Sequence, residues 1–348
     1  MNNIFTPITI KGFEIKNRIV MPPMVCFGGS GDDGFVTSKH IDHYERRAKG
    51  GCGLIILEAT CINKNGRLHE TQLGIWCDDH IEGLSKIAKA CHNYGATTLV
   101  QIHHAGFKTP KTVCDDIVAP SNYCDENISA RELTIDEIHE IQMEFVNAAL
   151  RVKAAGFDGI ELHGCHNYLI NQFASPVVNK RNDEYGGTLI NRMRFGLEII
   201  EKIKNSLGDN FIICYRVGGN EPTLENGIEI AKMLDAAGID LLNVSSGITN
   251  GEHPSPPKDF SFTWIAYLGT ELKKHVSMPV IAVNGIRTPE QASYLIENNL
   301  VDFAAIGRGL LADPEWVNKA QKQWDINSCL DCPKCSWFTD GTKCPRNI

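Results

Sequence analysis

Gly159-Ile160-Glu161-Leu162-His163-Gly164-Cys165-His166-Asn167-Tyr168-Leu169-Ile170 is an apolar run that ends in two imidazoles and a phenol. The run starts at Phe157 and reads as a buried strand, so the ionisable groups sit at its tip. A packed strand with polar chemistry at one end is the repeating unit of a parallel sheet flanked by helices. His163, His166 and Tyr168, offered from one loop, can hold an oxygen and donate a proton, which suits acid-assisted reduction of a polarised double bond.

Working outward, seven more β-rich apolar runs recur: Ile19 to Met24, Leu54 to Ala59, Thr97 to Ile102, Phe211 to Val217, Leu241 to Val244, Val280 to Val283 and Phe303 to Ile306. Segments of helical periodicity separate them. One places Ile138, Ile141, Phe145, Ala148, Ala149 and Val152 on a single face and opens with the capping pattern Thr134-Ile135-Asp136-Glu137. Another opens Thr288-Pro289-Glu290-Gln291, with Pro at the first helical position. Eight strands alternating with helices predict an α/β fold, a closed (β/α)8 TIM barrel. An open doubly wound sheet is the alternative, but no Gly-rich dinucleotide fingerprint follows the first strand. The barrel is read as residues 1–324 and a Cys-rich tail as residues 325–348.

The composition is that of a globular chain able to bury a full core. A net charge of −8 argues against a nucleic-acid or anionic-membrane partner. No apolar run approaches the ~20 residues of a spanning helix, and no signal peptide is visible at the start. Thirteen cysteines, an odd number, point to a reducing cytoplasm rather than a disulfide framework.

In a barrel, residues just after each strand share one rim, where active sites lie. Asn284-Gly285 before a helix start and Gly307-Arg308 after the last strand supply free N–H groups and a guanidinium, as a phosphate monoester requires. Arg216 would be a fixed cation beside an electron-rich ring, or else a structural ion pair. Gln101 would read such a ring's polar edge. The histidines have a rival reading as metal ligands with His103 or His104. The tail, Cys329-Leu330-Asp331-Cys332-Pro333-Lys334-Cys335 with Cys344 before Pro345, reads as a 4Fe-4S site, with zinc or unligated thiols as alternatives.

Taken together, these motifs resemble the Old Yellow Enzyme family of FMN-dependent ene-reductases from Phe5 to about Lys319. The resemblance rests on Asn17-Arg18-Ile19-Val20-Met21-Pro22-Pro23-Met24, Gln101-Ile102-His103-His104-Ala105-Gly106, Asp183-Glu184-Tyr185-Gly186-Gly187 and Ile306-Gly307-Arg308-Gly309-Leu310. The cysteine tail is similar to the branch holding 2,4-dienoyl-CoA reductase, 2-enoate reductase and bile-acid-inducible reductases. The resemblance implies FMN across the rim, flanked by Pro23, Met24, Val25, Cys26 and Ala59. Gln101 and Arg216 would contact the ring, and Asn284, Gly285, Gly307 and Arg308 the phosphate. His163 and His166 would bind the substrate oxygen, with Tyr168 as proton donor and NAD(P)H as reductant. The partners it implies are a small activated alkene, a separate flavoprotein electron donor and further copies of the same chain. That branch continues into an FAD/NAD(P)-binding half, whereas this sequence stops at Ile348. Phe107 stands where many members carry Arg, and Val25 where some carry a redox-tuning Cys. A dehydrogenase or demethylase of the trimethylamine-dehydrogenase type is a second reading, with Trp264 and Tyr267 as its only aromatic hints. An electron-transfer subunit is a third. Residues 247–262, with Gly247, Gly251, Pro254, Pro256 and Pro257, read as a variable substrate loop, and His253 there as a second acid or a plain loop residue.

Overall fold

The computed structural model describes residues 3–249, 252–340 and 344–346; Gly251 of the substrate loop lies outside them. Eight parallel strands close a barrel in sequence order. They are β1 (Ile19–Met21), β2 (Leu54–Cys61), β3 (Thr97–His103), β4 (Gly159–Gly164), β5 (Ile212–Gly218), β6 (Leu241–Ser245), β7 (Val280–Ala282) and β8 (Phe303–Ala305). The last pairs with the first, Ala304 opposite Ile19. All eight strands coincide with the apolar runs. The first run stops three residues early as a strand, because Pro22 and Pro23 have no N–H to give a ladder.

Strand alternation sorts the core into two parts. Val20, Leu54, Ile56, Leu99, Ile212, Leu241, Ile281 and Phe303 form one cluster, joined by Ile10 and Ile15 of an antiparallel hairpin, Ile8–Ile10 with Phe13–Ile15. Their neighbours Ile55, Leu57, Val100, Ile160, Leu162, Ile213, Leu242 and Val280 belong to a larger cluster shared with the helices. The layer between barrel and solvent includes α1 (Ser38–Lys49), α2 (His80–His92), α3 (Ile135–Ala154) and α4 (Leu169–Ala174). It continues with α5 (Leu189–Leu207), α6 (Leu224–Ala236), α7 (Trp264–Lys273) and α8 (Pro289–Glu297). Two short helices, α9 (Arg308–Ala312) and α10 (Trp316–Lys322), follow β8. Both capping boxes read from the sequence form: the Thr134 hydroxyl accepts from the Glu137 N–H, and Thr288 from that of Gln291. Beyond Trp324 the described residues hold one 3-10 turn, Ser336–Phe338. Among the described residues no helix is long and apolar enough to cross a membrane.

Candidate active site

At the carboxyl ends of the strands lies a cavity of about 630 Å³. The parallel register brings its polar floor together. Gln101 stands opposite Glu161, Cys214 opposite Glu161, and Arg216 opposite both His163 and Asn243. Glu161 is fully buried and accepts from Gln101 Nε2 at 2.7 Å and from Asn243 Nδ2 at 2.7 Å. Burial raises its carboxyl above the usual range, while the neighbouring Arg216 works against that rise. Gln101 is thereby held with its amide oxygen unspent. Arg216 is buried and its Nε has no hydrogen-bond partner. Such a donor is costly to leave unpaired, and it marks where an acceptor belongs.

Above this floor, His163 Nε2 and His166 Nδ1 share a hydrogen bond of 3.2 Å, and His166 Nε2 meets Ser245 Oγ at 2.7 Å. Burial pushes the pKa of His163 well below the ordinary imidazole value and that of His166 down to about 3, so both rings are neutral. Neutral imidazoles remain N–H donors without adding charge. Both nitrogens of His166 are engaged within the protein, whereas His163 Nδ1 is buried with no hydrogen-bond partner among the described residues. Burial also raises the Tyr168 phenol to about 12, which keeps it protonated. The ring of His103 packs edge-on against Tyr168 at 4.4 Å.

The loop that carries these groups is conformationally unusual. His166 and Asn167 adopt left-handed backbone angles, φ 60° and 66°, which non-glycine residues rarely do. Asn171 holds the bend by accepting from the Asn167 N–H at 2.9 Å, while its own amide donates to Glu221. Glu221 also accepts from the Ile248 N–H at 2.7 Å, at the start of the substrate loop. Burial lifts its carboxyl to about 7.

Most residues read from the sequence share this cavity: Pro23, Met24, Val25, Ala59, Gln101, His163, His166, Tyr168, Arg216, Asn284, Gly285, Gly307 and Arg308 all line it. Cys26 is not among the residues that line it. Its N–H donates to Glu58 Oε2 at 2.9 Å, turning the residue toward a separate cavity under α1. Arg308 reaches the cavity but also donates to Asp331 at 2.6 Å, and Arg287 pairs with the same carboxylate. His163, Cys165 and His166 bring three ligand atoms within 4.8 Å of one another; this is the one such group among the described residues. The metal reading had paired the histidines with His103 or His104 instead. His253 stacks on Trp264 at 4.9 Å and is absent from the cavity lining.

Sequence reasoning missed the tail as a wall of the site. Ile326, Asn327, Ser328, Cys329, Trp337 and Phe338 line the cavity, with Phe27, Leu68 and Arg287. The aromatic content of the tail was the available signal. All four tail cysteines line one smaller cavity beside Arg308 and Trp337.

The model of the NADH:flavin oxidoreductase / NADH oxidase family matches residues 3–327. An NADH oxidase of Thermoanaerobacter brockii is 45% identical over 343 residues, 95% of this chain and 52% of that protein. An NADPH dehydrogenase of Clostridium acetobutylicum is 38% identical over 337 residues, 95% of this chain and 97% of that protein. Among solved structures, a 2-naphthoyl-CoA reductase in complex with 2-naphthoyl-CoA superposes with a TM-score of 0.89 at 28% identity, covering 97% of this chain and 55% of that one. The chain thus spans about half the length of the NADH oxidase and of the naphthoyl-CoA reductase.

Proposed function

The chain belongs to the NADH:flavin oxidoreductase / NADH oxidase family, and from that premise we propose that it reduces the C=C bond of an α,β-unsaturated carbonyl, acid or thioester at a bound FMN, with NAD(P)H as electron source. The observation that carries the reading is the convergence of a neutral imidazole pair and a protonated phenol over a floor of buried polar groups with spare hydrogen-bonding capacity.

The cavity suits FMN. Gln101 offers its amide edge and Arg216 an unpaired buried N–H; Asn284, Gly285, Gly307 and Arg308 gather where a phosphate would sit. When bound, FMN supplies a two-electron carrier able to accept hydride from the nicotinamide and pass it to the β-carbon of the alkene. The chain's own residues do the rest. His163 and His166 donate to the substrate oxygen and draw electron density from the conjugated double bond. Tyr168, held protonated by burial, delivers the proton to the α-carbon. The apolar walls, including Leu68, Phe27 and Phe338, exclude water.

The tail is read as a 4Fe-4S site. Four thiols around one cavity support this. Zinc held by the same thiolates is the alternative occupant. With nicotinamide reducing FMN directly the cluster would be structural; a relay through it would need a separate flavoprotein partner.

The test is anaerobic purification with FMN, iron and sulfide analysis, then stepwise addition of NADH or NADPH and an activated alkene. Bleaching of the flavin by nicotinamide and its recovery on adding the alkene is the expected result. A flavin that nicotinamide bleaches but no activated alkene reoxidises would overturn the reading. Bleaching of the oxidised flavin by an amine in place of nicotinamide would favour the dehydrogenase alternative.

A further inference from the structure

A second cavity, of about 220 Å³, lies under α1 beside the first. Cys26, Phe27, Gly28 and Gly29 form one side, Lys39, Asp42, His43, Arg46 and Arg47 of α1 another, and Trp337 and Asp340 of the tail a third. Phe27 and Trp337 line both cavities, so the two are neighbours across these rings.

The chemistry of the second cavity is lopsided toward donors. Arg47 is buried, and its guanidinium bonds only neutral acceptors: Leu310 O at 3.0 Å, Leu311 O at 3.5 Å, His43 O and His43 Nδ1, both at 2.9 Å. A guanidinium can only donate, so His43 Nδ1 accepts. Burial, helped by Arg47, holds His43 neutral, and its one proton is therefore on Nε2. Among the described residues that N–H has no acceptor, and neither has the indole N–H of Trp337, whose ring lies 5.0 Å from that of His43. At the rim, neither Lys39 nor Arg46 has a hydrogen-bonded or ionic side-chain partner among the described residues, whereas Asp340 there is partnered. The acids nearby are Asp42 and Asp340 at the rim and Glu58 behind Cys26. Glu58 is occupied by the Cys26 N–H and the Tyr44 hydroxyl. Buried donors without acceptors destabilise a fold, and a ligand that only accepts relieves them.

We propose that this side cavity binds the phosphate groups of a ligand whose reactive end reaches the imidazole pair. The chemistry is that of a phosphate ester or diphosphate, carried either by a nicotinamide dinucleotide or by a coenzyme A thioester. At about 30 Å³ per water the space equals about seven waters, enough for a diphosphate. What stands at the reactive end rests on the function proposed above; the anion site itself does not.

The experiment uses the FMN-loaded full chain, the double variant Lys39→Ala/Arg46→Ala and the charge-preserving Lys39→Arg/Arg46→Lys. Neither side chain has a hydrogen-bonded or ionic partner among the described residues, and far-UV circular dichroism of each variant checks that the fold is kept. Inorganic pyrophosphate is titrated by calorimetry. KM is then measured for NADH and NADPH against a phosphate-free N-alkyl dihydronicotinamide, and for an enoyl-CoA against the N-acetylcysteamine thioester of the same acid. Losing two charge-assisted contacts should raise KM for the phosphate-bearing ligand by about tenfold or more with kcat held. Pyrophosphate binding should weaken in parallel, the phosphate-free analogues should not respond, and the charge-preserving variant should recover. A response confined to the nucleotides names the dinucleotide as occupant, and one confined to the thioester names coenzyme A. An unchanged KM in both arms, or equal loss with the phosphate-free analogues, overturns the proposal. If pyrophosphate binds as expected while no alkene is reduced, the anion site stands and the ene-reductase reading falls.

Discussion

At the residue scale, proton positions follow from burial. Glu58 is fully buried against Tyr44 and the Cys26 N–H, and burial raises its carboxyl from an ordinary 4.5 to about 7. The folded state therefore keeps a proton that the unfolded chain releases above pH 4.5. Stability from this group is highest below about pH 4.5, falls as pH rises toward 7 and stays at the lower level beyond. At 1.36 kcal/mol per pH unit the fall amounts to about 3 kcal/mol. Glu58→Gln keeps the shape without the charge, so urea unfolding at pH 5 and pH 8 should show a smaller difference than in the unaltered chain. Equal differences would remove the assignment. Tyr168→Phe belongs here too: alkene reduction should slow by about 10²- to 10⁴-fold while flavin reduction by nicotinamide is kept, as stopped-flow absorbance of each half-reaction will show. Parallel loss in both halves would remove the proton-donor role.

At the element scale, the loop between β4 and α4 is held in a disfavoured conformation by one side chain. Asn171 satisfies the Asn167 N–H and is itself fixed by Glu221, which also anchors the start of the substrate loop. Asn171→Ala leaves Glu221 and a backbone N–H short of partners, a loss of about 1–3 kcal/mol. The expected outcome is a lower denaturation midpoint together with a kcat loss in alkene reduction greater than any change in flavin affinity. A variant that loses stability but reduces alkene at the original rate would show that the bend serves folding alone. Helix α3 offers a simpler case. Its capping box was legible from Thr134 and Glu137, and Thr134→Ala should cost about 1 kcal/mol in chemical denaturation.

At the scale of the whole molecule, the tail is part of the cavity wall, although its sequence reads as an appendage. Trp337 is only 6% exposed, while Phe338 and Leu330 are 69% and 52% exposed. Asp331 ties the tail to Arg287 and Arg308 at the proposed phosphate end. Removing the residues after Trp324 should leave the barrel's far-UV signal intact and weaken FMN retention by roughly tenfold, read by flavin fluorescence titration. Unaltered retention would mean that the tail only covers the site. Cys26, one residue after Val25, has its N–H held by the buried carboxylate of Glu58 and lines the separate cavity under α1.

From residue order alone, the eight apolar runs, the capping patterns and the rim residues after each strand were accessible, because periodicity and turn chemistry are local. Strand count favoured closure of the ring, and the pairing of the last strand with the first settles it, placing His163, Tyr168, Gln101 and Arg216 around one opening. Only the folded chain decided the pairing of Glu161 with Gln101 and Asn243, the bracing of Asn171 by Glu221, the turn of Cys26 toward Glu58 and the docking of the tail through Asp331. Each of these joins groups far apart in sequence, and a hydrogen bond across such a separation leaves no periodic trace in the chain.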